Sequence, residues 1–365
     1  MGNLKQRLTG LIFVVGFAGV TFAEETPKPA PITTAKTADG TVTVPSYTLP
    51  PSAYLSPEAR AVLTKGIDPN IPQTKPPMAA IPGIRAGMKK GMAPLVDGLR
   101  SQYKVTVAET SVGGIHGYWV KPAQTSKAKR KPILLNLSGG GFLIGQANPL
   151  GLVEAIPIAG LTGFDVLTID YRQAPEAVFP AASEDVTTVY RELLKTHAPS
   201  QIGIYGCSAG GLLTAQSLAW FQKEGLPMPG AAGILCASAD GRWAGDSWYW
   251  QKPIQGLPIP PTLDEEEYYG KHNQADPLLS PMESDAILKR FPPTLLLSAT
   301  RAGELSSTVD THRRLVRNGV KADLNVWDGL GHAFYALNPN LPESREALKV
   351  IADFFTAHLN KKDYK

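Results

Sequence analysis

Residues 202–213 read I-G-I-Y-G-C-S-A-G-G-L-L. A short apolar run, Ile202 to Tyr205, leads into Gly206-Cys207-Ser208-Ala209-Gly210, a match to G-x-S-x-G. A helical pattern follows (Leu212, Leu213, Ala215, Gln216, Ala219, Trp220) and stops at Gly225. Strand, sharp turn and helix in that order are the setting of a nucleophile elbow. The turn leaves no room for side chains beside the serine, hence Gly206 and Gly210. It lifts the Ser208 hydroxyl above the sheet, and the helix N-terminus behind it favours developing negative charge. The plain alternative is a glycine-rich turn that carries a serine by chance, so the rest of the chain has to decide.

Working outward, strands and helices alternate on both sides of this stretch. Strand patterns fall at Lys104 to Glu109, Ile115 to Val120, Ile133 to Leu137, Val166 to Asp170, Ile202 to Tyr205, Ala231 to Cys236, Thr294 to Ser298 and Asp323 to Trp327. Helical patterns fall at Leu150 to Leu161, Ser183 to Thr196, Ala209 to Glu224, Ser307 to Asn318 and Glu343 to Leu359. Gly113-Gly114 between the first two strands predicts an antiparallel hairpin. From Ile133 onward the order implies an α/β fold with a mostly parallel sheet and helices on both faces. There is no internal repeat.

The N-terminus is set apart from this pattern. Lys5 and Arg7 precede an apolar run, Leu11 to Val20, and Thr21-Phe22-Ala23 offers a small-x-small cleavage site. Residues 1–23 therefore predict a secretory signal peptide, too short for a comfortable membrane span, and an exported protein, periplasmic or secreted. An uncleaved anchor is the other reading; once the leader is cleaved, no stable membrane insertion is expected. Residues 24–55, rich in Pro, Thr and Ala, read as a flexible lead-in. Residues 56–103 read as a cap region of short helices broken by Pro72, Pro76-Pro77, Pro82 and Pro94, with Met78, Ile81, Ile84, Met88 and Met92 as an irregular apolar surface. Residues 104–365 form the expected core, and a second cap segment interrupts it at about 242–275, where Trp243, Trp248, Tyr249 and Trp250 precede a proline-rich loop.

The chain has 365 residues, of which 43% are hydrophobic and 19% charged, enough for one large domain with a cap. Its formal charge of +4 moves closer to neutral when Lys5 and Arg7 leave with the leader, so nothing suggests nucleic acid or an anionic membrane as a partner. The basic run Lys127 to Lys131 reads as a solvated loop. Two cysteines, Cys207 and Cys236, each at the end of a strand pattern, read as buried free thiols and not as a disulfide framework.

A second glycine cluster carries chemistry. Ile133 to Leu137 leads into Ser138-Gly139-Gly140-Gly141-Phe142, and consecutive glycines after a buried strand let backbone N–H groups turn toward one point, as an oxyanion hole requires. A phosphate-binding loop is the rival, but its Lys-Ser/Thr ending is absent. A histidine that suits a base is His332, which follows the last strand in a glycine-bounded loop, Gly329 to Gly331. His312 lies in a helical pattern and His358 in a last helical turn, and His116, His197 and His272 lack a neighbouring motif.

Taken together, S-G-G-G-F (138–142), D-Y-R-Q-A-P-E (170–176), F-P-A-A-S-E-D (179–185), G-C-S-A-G-G (206–211), D-P-L-L-S-P (276–281) and G-L-G-H-A-F (329–334) resemble the bacterial hormone-sensitive-lipase family of α/β-hydrolases. The resemblance runs from about Ser56 to the C-terminal helix. It implies the α/β-hydrolase fold with an eight-stranded sheet and a helical cap, a Ser-His-acid triad, and no metal or organic cofactor. It also implies a small-molecule ester as substrate and allows a homodimer. Ser208 would be the nucleophile, His332 the base, and the N–H groups of Gly139, Gly140 and Ala209 the oxyanion hole.

Two departures stand out. Ser138 occupies the place where the family usually has histidine, which helps to hold the loop. The usual triad aspartate falls on Ala302, within Thr300-Arg301-Ala302-Gly303-Glu304. Glu304 lies two residues on, and its extra methylene could cover part of the displacement; a plain helix N-terminal acid is the alternative. Asp240, after the strand ending at Cys236, is the next candidate, and Asp276 reads as an organiser of its own turn. The sequence leaves three functions open: hydrolysis of short-chain carboxylic esters through an acyl-enzyme, ligand binding on a degenerate hydrolase scaffold of the kind the gibberellin receptors resemble, or hydrolysis of an amide, lactone or carbamate.

Overall fold

The structure, a computed structural model, describes residues 35–44, 46, 48–64, 76–124, 131–254 and 267–359. The expected leader, the start of the lead-in, Pro72, most of the basic loop after residue 124 and the proline-rich part of the second cap segment lie outside these residues. The chain divides into two compact units, 1–50 and 51–365. In the first, Ala35–Lys36 pairs antiparallel with Val42–Thr43.

The second unit is built on eight strands: β1 (Val105–Val112), β2 (Ile115–Pro122), β3 (Ile133–Leu137), β4 (Asp165–Ile169), β5 (Ile202–Cys207), β6 (Ala231–Leu235), β7 (Thr294–Arg301) and β8 (Ala322–Gly331). They lie in the order β8-β7-β6-β5-β3-β4-β2-β1, parallel from β8 to β4 and antiparallel for the last two pairings. Val112 faces Ile115 across the β1–β2 turn, where Gly113 and Gly114 take φ of +60 and +82°. Both central positions of such a two-residue turn need left-handed backbone, which is why Gly-Gly stands there.

Every residue of β3, β5 and β6 is buried, as expected of central parallel strands covered on both faces. Side chains alternate between two cores: Leu134 joins Val166, Tyr205 and Phe355 on one face, while Leu135 and Leu137 join Ile204 and Leu213 on the other. The covering helices are α1 (Pro57–Thr64), α2 (Ile81–Tyr103), α3 (Leu152–Thr162), α4 (Ala181–Leu194), α5 (Ala209–Lys223), α6 (Asp246–Ile254), α7 (Leu305–Arg317) and α8 (Pro342–Leu359). The helix α6 falls in the segment read as a second piece of cap.

One sequence expectation needs correcting. Residues 81–103 are a single 23-residue helix and not short pieces broken at Pro82 and Pro94. Pro82 lies in the first turn, where no intrahelical N–H bond is lost, and Pro94 is tolerated inside a helix that packs along α3. Arg85 fixes its first half: its guanidinium donates to Leu143 O (2.9 Å), Ala174 O (2.7 Å) and Glu176 (2.8 Å). Glu176 is held ionised below the usual carboxylate range by that arginine. The D-Y-R-Q-A-P-E and F-P-A-A-S-E-D blocks meet each other in space, because buried Asp185 accepts from both the backbone N–H (2.7 Å) and Nε (2.9 Å) of Arg172.

Candidate active site

The turn between β5 and α5 holds Ser208 at φ 60°, ψ −126°, a conformation that a non-glycine residue adopts only when its surroundings enforce it. Those surroundings are backbone. A Cβ on Gly206 would meet Leu137 O at 2.1 Å, and one on Gly210 would meet the same oxygen at 1.8 Å. The G-x-S-x-G spacing thus follows from β3 passing close under the turn. Ser208 N donates to Leu235 O (2.9 Å), and Leu212 N donates to Ser208 O (3.0 Å), which ties the elbow to β6 and starts α5.

His332 follows β8 and precedes a short helical turn, with Gly329 and Ala333 in left-handed backbone on either side. Its Nε2 lies 2.9 Å from Ser208 Oγ, and its Nδ1 lies 2.9 Å from Glu304 Oε2. Glu304, fully buried between β7 and α7, is anchored twice. Ser298 Oγ donates to its Oε1 (3.2 Å), and the side chains of Ser307 and Thr308 both donate to its carbonyl oxygen (2.9 Å). Ala302 is itself buried, in the apolar cluster that also holds Leu330 and Ala333. The carboxylate that reaches His332 Nδ1 thus comes from position 304, two residues beyond Ala302. Burial alone would lower the His332 pKa, but the charge of Glu304 and its hydrogen bond outweigh that effect and raise it above the ordinary histidine value.

Asp240, the other acid candidate, is taken up elsewhere: its Oδ1 accepts from Nε (2.8 Å) and the backbone N–H (3.1 Å) of Arg242. Asp276 accepts the Leu278 N–H (2.8 Å) and organises its own turn. His312 faces a backbone carbonyl on β8, and His358 one within its own helix. His116 sits apart, between Asp170 (2.6 Å) and Glu109 (2.8 Å).

The glycine loop after β3 packs against the elbow: a Cβ on Gly139 would lie 3.3 Å from Ser208 Cβ and 2.8 Å from Cys207 O. Here the expected oxyanion set needs a second correction. The Gly139 N–H donates to the carboxyl group of Glu154 (3.4 Å) and is engaged there. The N–H groups of Gly140, Gly141 and Ala209 have no acceptor among the described residues. Sequence reading also passed over Ser298 and Tyr171, whose hydroxyl donates to Ser138 O (2.7 Å). Trp243, named only as part of the second cap segment, has its ring 5.3 Å from that of His332 and edge-on to Trp248 at 6.3 Å.

Cys207 and Cys236 are buried and unlinked. Among the described residues no cluster of His, Cys, Asp or Glu is arranged to hold a metal ion, and no helix is long and apolar enough to cross a membrane.

A family profile described as alpha/beta hydrolase fold matches residues 134–336. An acetyl-hydrolase from Streptomyces hygroscopicus is 30% identical over 251 residues, 67% of this chain and 80% of that protein. The crystal structure of an esterase E25 superposes with a TM-score of 0.77 at 30% identity, covering 87% of this chain and 98% of its own. That of an esterase from the bacterial hormone-sensitive lipase family does so with a TM-score of 0.62 at 28% identity, covering 78% of this chain and 99% of its own.

Proposed function

Since this chain belongs to the α/β-hydrolases, with the esterases of the bacterial hormone-sensitive-lipase family as its relatives, we propose that it cleaves short-chain carboxylic esters through an acyl-enzyme on Ser208. On the leader reading of residues 1–23 it does so outside the cytoplasm. The observation that carries the chemistry is the continuous hydrogen-bonded line Ser208 Oγ, His332, Glu304, with 2.9 Å at each step.

In this mechanism His332 Nε2 takes the serine proton as Oγ attacks the ester carbonyl, and Glu304 stabilises the imidazolium that results. The tetrahedral oxyanion receives the N–H groups of Gly140, Gly141 and Ala209, with the N-terminus of α5 adding its positive end. The imidazolium protonates the leaving alcohol, and the neutral ring then activates the water that releases the acid. The alternative of a binding protein on an altered scaffold has less support, because the alanine at 302 is compensated by Glu304.

The base must be neutral to accept a proton, and its pKa is raised. The acid limb of kcat/KM is therefore expected above the ordinary histidine value of about 6.5, with activity falling as pH drops through it. A pH–rate profile checks this; a midpoint well below 6 would mean that Glu304 does not act on His332.

Trp243 supports the short-chain part of the reading. Its indole stands beside the base and is backed by Trp248, so a long acyl chain gains little from a wall that does not enclose it. On p-nitrophenyl esters kcat/KM is expected to peak at about C2 to C6 and to be at least about tenfold lower at C12. Rates that climb through long-chain emulsions would contradict it. Hydrolysis of the matching anilides or lactones in preference to the esters would move the substrate class instead.

A further inference from the structure

The helix α3 is apolar from Leu152 to Leu161 except for one acid, Glu154, which is 3% exposed and has no part in the mechanism above. It reaches the glycine loop from below. Its Oε1 accepts the Gly139 N–H (3.4 Å) and its Oε2 accepts Asn136 Nδ2 (3.3 Å), while Asn136 Oδ1 accepts the Thr168 hydroxyl (2.8 Å). The approach depends on Gly151 just before the helix, where a Cβ would meet Thr168 Oγ1 at 2.0 Å. The other end of the same peptide unit is also held, since Ser138 O takes the Tyr171 hydroxyl. The Ser138 hydroxyl itself is buried with no partner among the described residues.

We propose that Glu154 is a positioning residue for the oxyanion loop: together with Tyr171 it clamps the Ser138–Gly139 peptide at both ends, and so aims the following N–H groups of Gly140 and Gly141 at Ser208. This rests on the esterase reading above. Without the carboxyl group, the buried Gly139 N–H loses its acceptor and the peptide is free to turn. Removing a single oxyanion donor in a serine hydrolase lowers turnover by about 10²–10³, and misaiming two of them falls in the same direction.

The charge state of Glu154 has its own consequence. Burial pushes its carboxyl up to about 8, against the hydrogen bonds from Gly139, Asn136 and the Cys207 backbone. Among the described residues the titratable groups that interact with it are Tyr171, Tyr205, Cys207, Cys236 and Tyr335, all themselves raised by burial, and none of these is a cation. At neutral pH the group is protonated and places no negative charge under the developing oxyanion. As pH rises past about 8 it ionises, the like charge opposes the oxyanion, and kcat falls.

The test measures kcat, KM and thermal unfolding for wild type, Glu154→Leu and Glu154→Gln on p-nitrophenyl butyrate between pH 6 and 10. Glu154→Leu is expected to lose about tenfold or more in kcat with KM unchanged. Glu154→Gln, which keeps an acceptor for Gly139, is expected to stay within about threefold at pH 7 and to lack the alkaline decline. Full kcat in Glu154→Leu overturns the proposal, as does an alkaline limb that persists in Glu154→Gln. Losses in both variants that merely follow the folded fraction also overturn it. If Glu154→Leu does not fold, the Glu154→Gln profile decides alone. A wild-type chain inert toward every ester overturns the esterase reading and this inference together; an active wild type with an indifferent Glu154 overturns only the inference.

Discussion

Ser208→Ala is expected to leave a folded chain whose ester turnover is lower by about 10⁶, the scale on which loss of the nucleophile abolishes acyl transfer in a serine hydrolase. The fold has little reason to object. The Ser208 side chain has His332 as its hydrogen-bond partner, and the left-handed backbone at the elbow is imposed by the close passage of Leu137 O and not by the hydroxyl. Stopped-flow release of p-nitrophenol, with far-UV circular dichroism as the control for folding, measures the loss. Activity within about tenfold of wild type would remove this serine from the mechanism.

Glu304→Gln is expected to cost about 10⁴ in kcat, close to 5.5 kcal/mol of transition-state stabilisation. Two effects combine. The neutral amide no longer supports the imidazolium, and an amide N–H turned toward Nδ1 favours the wrong tautomer for accepting the serine proton. The acid limb of the pH profile should move down at the same time, because the charge that raises the His332 pKa is gone. Asp240→Asn is the matched control: its carboxylate is engaged by Arg242, so a change of less than about tenfold is expected. The reverse order of the two losses would transfer the acid to Asp240. Partial restoration of turnover by Ala302→Asp in the Glu304→Gln background would show that both positions address one imidazole.

The fold was legible in the sequence because its signals are local. Apolar runs such as Ile133 to Leu137 and Ile202 to Tyr205 are buried on both faces, and glycines mark the turns where strand backbones nearly touch. The long helix α2 was not legible, because Pro94 counts as a breaker until α3 is there to support it. The serine and the histidine that the structure brings within 2.9 Å of each other were legible for the same local reason, a motif around each. The acid was only half legible: whether Glu304 or Asp240 meets Nδ1 depends on the course of the β7–α7 turn and on an arginine next to Asp240, neither visible in a motif. The engagement of the Gly139 N–H was not legible, because its acceptor, Glu154, lies on another element. The signal was present, as a lone carboxylate in the otherwise apolar run Leu152 to Leu161, but its meaning needs the distance.

The central claim is a covalent ester of Ser208. Intact-mass measurement of the purified chain, quenched in acid milliseconds after mixing with excess p-nitrophenyl butyrate and followed by peptide mapping, tests it most directly. The expected result is a butyryl adduct that accumulates and decays with turnover, maps to the peptide containing Ser208 and is absent from Ser208→Ala. Steady hydrolysis with no adduct, or an adduct on any other residue, would contradict it.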